Sequence, residues 1–97
     1  MVRINDDLEI DDSEIHFEFA RSSGPGGQHV NKVETKVRLL FDVRSSVSLS
    51  APQKQRLMDR LRTRISKEGV LRVSAQRQRS REANREDALE RFAEIVA

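Results

Sequence analysis

The chain has no cysteine, no tryptophan and no tyrosine, and only two prolines in 97 residues. Without cysteine, disulfides and thiolate metal sites are excluded and nothing points to an oxidising compartment, so the expected location is the cytoplasm. No apolar run approaches the ~20 residues of a membrane helix, and the N-terminal MVRINDDLEIDD lacks the apolar core of a signal peptide. The expectation is a soluble protein with no membrane partner. At this length the chain is read as a single domain, residues 1–97, with a modest core but no room for a deep cavity and its own lid. Demanding chemistry would have to borrow walls from a partner. The only aromatics, Phe17, Phe19, Phe41 and Phe92, all sit where a core would want them, which makes base stacking a minor expectation.

What is present is charge, unevenly spread. Residues 1–20 carry seven acidic groups against Arg3 alone, whereas residues 54–81 carry ten basic groups against Asp59 and Glu68. A charge run is usually a solvated helix face. Here, however, only Lys54 and Lys67 of the ten are lysines, and guanidinium forks suit phosphate oxygens. Nucleic acid is therefore the leading partner.

The hydrophobic pattern places these features on an α+β frame. Ile15, Phe17 and Phe19 alternate with Glu14, His16 and Glu18, predicting a strand over Glu14 to Ala20. A second alternating run predicts a strand from Val33 to Val43. The segment from Ser50 changes period: Ser50 and Gln53 form a capping box, Pro52 suits a first turn, and Leu57, Met58, Leu61 and Ile65 make an apolar stripe. A helix is predicted from Ala51 to Ser66, ended by Gly69. Leu71, Val73 and Ala75 predict a third strand, and Leu89, Phe92, Ala93 and Val96 a helix running to the end. The expected order is ββαβα, a small, mostly antiparallel sheet covered by two helices.

Between the first two strands lies RSSGPGGQHVNK, residues 21–32. A strand connector needs only about two to five residues, so a loop of this length is a functional candidate. Its glycines let the main chain approach another surface closely. No familiar catalytic set occupies it. His29 has no second histidine or acidic cluster at ligand spacing, so no metal and no cofactor are expected. Ser22 and Ser23 lack a nucleophile-elbow context. Gly24 and Gly27 are followed by Gln28 and not by the lysine and hydroxyl of a triphosphate-binding loop.

What remains is Gly26-Gly27-Gln28 within R-x-S-G-P-G-G-Q-H-V-N-K, followed by a strand and then by Q-x-x-R-S-x-x-x-N from Gln76 to Asn84. This combination resembles the GGQ-bearing catalytic domains of peptide chain release factors and of their small relatives that rescue stalled ribosomes. The resemblance spans roughly residues 8–97. In full release factors the two strands after GGQ are joined by a short turn, and further domains read a stop codon. This chain has a helix at that turn, which is similar to the ribosome rescue factor B branch. The resemblance also implies that the second and third strands are antiparallel.

Peptidyl-tRNA is an ester, and its hydrolysis passes through a tetrahedral oxyanion that preorganised N–H donors stabilise, each worth ~3 kcal/mol in an acyl-transfer site. The resemblance implies that Gly26, Gly27 and Gln28 are catalytic, the Gln28 backbone N–H serving as donor and its amide shaping a pocket that admits water. It puts the proton relay on the substrate's terminal adenosine and on ribosomal RNA. The implied partners are the large-subunit peptidyl transferase centre and P-site peptidyl-tRNA, met by a monomer. Arg21, Ser22, Ser23, Gly24, His29, Asn31 and Lys32 around the loop, and Arg77, Arg79 and Arg81 beyond the third strand, are the RNA-binding candidates. Asn84 could instead cap or buttress the last helix. Rescue-branch members continue into a basic tail after the last helix, and that tail is absent here. Two alternatives stay open: a non-enzymatic RNA-binding module with a vestigial GGQ, and a catalytic fragment of a codon-dependent release factor.

Overall fold

The computed structural model describes residues 1–20 and 35–97. The loop, with Arg21, Ser22, Ser23, Gly24, Gly26, Gly27, Gln28, His29, Asn31 and Lys32, lies outside the described residues, as do the first two residues of the second expected strand.

Three antiparallel strands form the main sheet in the order β3-β4-β5: β3 Ile15–Ala20, β4 Lys36–Asp42 and β5 Val70–Ala75. The antiparallel pairing of β4 and β5 matches the expectation. In register, Ile15, Phe41 and Leu71 form one row, Phe17, Leu39 and Val73 the next, and Phe19, Val37 and Ala75 the last. Because side chains alternate between the faces of a strand, these rows share one face. Val37, Leu39, Phe41, Leu71, Val73 and Ala75 are buried there. Helix α2, Arg81–Val96, lies across that face and seats Ala88, Phe92 and Val96 on it. The Phe92 and Phe41 rings meet edge to face, with centroids 5.2 Å apart.

A hairpin precedes this sheet, β1 Val2–Asn5 and β2 Leu8–Ile10, and it was not expected. The Asn5 side chain accepts a hydrogen bond from the Asp7 N–H at 2.8 Å, turning the chain between the two strands. Leu8 and Ile10 are buried, and β1 lies against α2. A single 3-10 turn, Asp12–Glu14, leads into β3. Its N-cap Asp11 accepts from the Ser13 N–H, which holds the Asp11 carboxyl below its ordinary range. The Glu14 carboxylate accepts from the hydroxyls of Ser46 and Ser48, tying the 43–50 connector to the entry of β3.

Helix α1, Ala51–Arg60, starts with the predicted capping box, Ser50 and Gln53 each satisfying the other's backbone N–H. It stops earlier than predicted. Leu61 is the C-cap, Arg64 and Ile65 both donate to its carbonyl, and Ile65 then pairs with Leu71 while the Ser66 N–H donates to Val70 O. The sheet ladder therefore claims the backbone that the helix pattern extended into. Gly69 does not end the helix; it turns the chain into β5 at φ 88°, and a Cβ there would come within 2.8 Å of Arg44 Cβ. Arg60 donates to the Ile95 and Ala97 carbonyls at 2.6 and 2.9 Å, so α1 is fastened to the C-terminal end of α2, where a cation also complements the helix dipole.

Truncating the helix ring that meets the central strand tests this packing. Phe92→Ala should lower the unfolding free energy by about 3–5 kcal/mol in urea denaturation, because it removes a fully buried ring and leaves Phe41 facing a cavity.

Candidate functional site

Ala20, the last residue of β3, is the register partner of Lys36, the first of β4. The two strand ends that flank residues 21–35 therefore lie side by side at one end of the sheet. Ala75 ends β5 opposite Val37, one position further along, so the 76–80 segment leaves from the same end of the sheet. Helix α2 begins directly after it, capped by the Ser80 hydroxyl, which accepts from the Ala83 N–H at 3.1 Å. The GGQ stem, the arginine-bearing segment and the start of α2 are thus neighbours, although the sequence separates them by some forty residues.

Asn84 joins the three. Its side chain is completely buried. The Nδ2 amide donates to the Thr35 carbonyl at 2.5 Å and to the Gln78 carbonyl at 3.2 Å, while Oδ1 accepts from the Gln78 N–H at 2.9 Å. One amide thereby holds the returning end of the loop and the 76–80 segment to the helix. Of the two roles open to it, Asn84 is a buttress; the cap belongs to Ser80.

Arg77 meets the buried Asp87 carboxylate with two parallel bonds, Nε to Oδ2 and Nη2 to Oδ1, both 3.0 Å. Asp87 has only 8 % of its side chain exposed against 65 % for Arg77, and Arg91 Nε lies 4.0 Å from Oδ2, the oxygen that also accepts from Arg77 Nε. Bidentate geometry of this kind fixes the arginine as well as satisfying the acid. Nothing in the sequence pointed to Asp87, although its place one helical turn after Asn84, on the buried side of a helix, is the signal that could have found it. Arg79 is exposed on the same segment. The Arg81 guanidinium lies over the Phe19 ring, 4.8 Å from its centroid, and Arg85 over Phe17 at 4.9 Å. On the other sheet face, Arg38 pairs with its register partner Glu18 at 3.2 Å, and His16 is exposed.

The phenylalanines correct one expectation. Phe41 and Phe92 are core residues, but Phe17 is only half-buried and Phe19 is 39 % exposed. As β3 runs toward the loop, α2 offers it Leu89, then Arg85, then Arg81, so the apolar side of the strand passes out of the core beneath two guanidiniums. Arg85 was not among the expected site residues. Among the described residues no group of three or more histidines, aspartates and glutamates gathers as metal ligands.

The RF-1 domain pattern matches residues 3–97. The chain is 42% identical over 96 residues to peptidyl-tRNA hydrolase ArfB of Pseudomonas putida, an alignment covering 99% of this chain and 69% of that protein. It is 30% identical over 83 residues to large ribosomal subunit protein mL62 of Mus musculus, covering 86% of this chain and 40% of that one. With peptide chain release factor 2 of Helicobacter pylori it shares 54% identity over 33 residues, 34% of this chain and 9% of that protein.

The clamp can be opened by one substitution. Asn84→Ala removes the amide that contacts two part-buried carbonyls, those of Thr35 and Gln78, and the Gln78 N–H, and should cost about 1–3 kcal/mol in urea denaturation. It should also raise hydrogen exchange at the Gln78 amide well above the change at Val37 or Leu39.

Proposed function

The chain belongs to the RF-1 domain family, and on that footing we propose that it hydrolyses the ester of peptidyl-tRNA on the ribosome without reading a codon, releasing the nascent peptide from stalled ribosomes. It is an enzyme, a peptidyl-tRNA hydrolase. The observation that carries this is the 42% identity with a named peptidyl-tRNA hydrolase along 99% of the chain, in a sequence that holds Gly26, Gly27 and Gln28 on the loop stemming from β3 and β4.

In the reaction, a water oxygen bonds to the ester carbonyl carbon and the bond from that carbon to the ribose oxygen breaks. The leaving oxygen takes up a proton and the peptide departs with a free carboxylate. The charge that develops on the carbonyl oxygen needs an N–H donor in a dry site. We assign this to the Gln28 backbone N–H. Glycines at 26 and 27 let the main chain come close, and the Gln28 amide favours water in the pocket. Glutamine is not a base, so proton movement falls to the substrate and to the ribosomal RNA that forms the rest of the site. The domain inserts its loop as a monomer into the large-subunit peptidyl transferase centre, beside P-site peptidyl-tRNA, in the cytoplasm. No helix among the described residues is long and apolar enough to cross a membrane.

Asn84 supports this reading physically, since a loop acting as a probe needs a fixed stem and the Asn84 amide supplies one at Thr35. Arg79 and Arg81 stand beside that stem and meet RNA phosphates, as Arg21, Ser22, Ser23, Gly24, His29, Asn31 and Lys32 do around the loop. Asp87 engages one N–H each of Nε and Nη2 of Arg77, so this arginine's phosphate contact falls to the two N–H groups of Nη1 and the second one of Nη2. The name of the mouse relative favours a second reading, a resident ribosomal component. In that case binding to ribosomes would persist with no turnover.

Turnover separates the two. Mixed with purified peptidyl-tRNA alone, the protein should release peptide no faster than buffer; with ribosomes carrying that tRNA in the P site and an empty A site, release should appear. Gly27→Ala should reduce it at least about 100-fold with the thermal midpoint unchanged. Release from free peptidyl-tRNA as fast as from ribosomes would sink the proposed division of labour, and unaltered turnover in Gly27→Ala would remove GGQ from the mechanism.

A further inference from the structure

The seam between β3 and the start of α2 is built unlike the rest of the core. Ile15 is buried near Leu89, but the next two rows pair aromatic rings with guanidiniums, Phe17 with Arg85 and Phe19 with Arg81. Positions 81, 85 and 89 are spaced four apart and so lie on one helix stripe. Burial alone would favour continuing the leucine with apolar side chains. Instead the stripe turns cationic where the strand turns aromatic. The result is an open groove of about 260 Å³ lined by Phe17, Phe19, Arg81, Glu82 and Arg85. Among the described residues Glu82 is the one acid lining it, and Arg79 is exposed on the segment just before. The groove sits one residue from the end of β3, against the stem of the loop.

We propose that this aromatic and guanidinium seam is a stacking platform for an unpaired base of RNA, with Arg81 and Arg85 facing its flanking phosphates. The inference rests on the ribosomal function proposed above and adds to it a base-binding subsite beyond loop and phosphate contacts. The chemistry favours a nucleotide over other anions. A phosphate needs the arginines but not an exposed phenylalanine, and an acidic peptide gains nothing from the ring. A base has a π face that stacks on a ring or on a guanidinium plane, and it carries the phosphates that the same arginines attract. Such stacking tolerates any base, so the platform holds a splayed nucleotide without reading its identity.

The test uses the whole chain and single-stranded hexaadenylate, followed by NMR to millimolar concentration. Ring signals of Phe17 and Phe19 should move upfield while those of the buried Phe41 and Phe92 stay in place. An abasic ribose-phosphate chain of the same length should move arginine Nε–H signals and leave the rings. Phe19→Leu keeps an apolar cover beneath Arg81 but has no π face; it should weaken hexaadenylate binding roughly five- to hundredfold with little change in the thermal midpoint. No ring shift at millimolar RNA, an equal ring shift with the abasic chain or with hexa-aspartate, or wild-type affinity in Phe19→Leu would each overturn the platform. Gln28→Ala separates the two proposals, since it should retain the ring shifts and lose ribosomal turnover. Ring shifts together with Gln28-independent turnover would refute the catalytic reading and leave the platform standing.

Discussion

The seating of α2 on the central strand β4 is the constraint on which the other features depend. One side of the helix carries Asn84, Asp87, Ala88, Phe92 and Val96, all buried. Its C-terminal part is apolar and meets the sheet through Phe92 and Phe41. Its N-terminal part is polar and meets backbone and charge: Asn84 takes Thr35 and Gln78, and Asp87 takes Arg77. A hydrophobic interface is forgiving about rotation and sliding, whereas a buried amide and a buried carboxylate are not, because a misplaced partner leaves a desolvated polar group. The apolar end supplies most of the stabilisation and the polar end sets the position. That division puts the rigid end of the helix next to the loop stem.

The arginines divide in a related way. Some, together with Lys54, fasten parts of the chain to one another, although Arg44, Arg60 and Arg77 are themselves exposed. Arg60 closes the C-terminal carbonyls of α2, Arg44 and Lys54 hold the connector around 44 and 67, and Arg77 neutralises Asp87. Others, among them Arg56, Arg62, Arg64, Arg72 and Arg79, are exposed. Their shared sign gives a field that attracts a polyanion from a distance, and on the function proposed above that polyanion is ribosomal RNA. The acidic N-terminal hairpin carries the opposite sign and engages part of it locally, in the Arg3–Asp6 pair and in Asp12 beside the Met1 amine.

On the function proposed above, a short domain takes part in a demanding hydrolysis because it supplies few of the groups the reaction requires. Its contribution in that reading is position, for which the Asn84 contact at Thr35 provides a fixed stem. Preorganisation of this kind acts by removing the entropy of finding the right geometry, not by adding chemistry.

The sequence by itself determined the three strands of the main sheet, the start of α1 and the identity of the loop, because alternation, a capping box and a contiguous motif are local signals. It did not reveal the hairpin over Val2–Ile10, whose strands of four and three residues are too short for alternation to register. It overran α1, because Ile65 satisfies a helical stripe and a strand pairing equally well and only the presence of Leu71 beside it decides. Tertiary structure alone decided that Asn84 is a buttress, that Arg77 has an acid ten residues away as its partner, and that Phe19 leaves the core beneath an arginine. Each of these depends on which residues of distant segments come to one end of the sheet, and strand register, not local pattern, sets that distance.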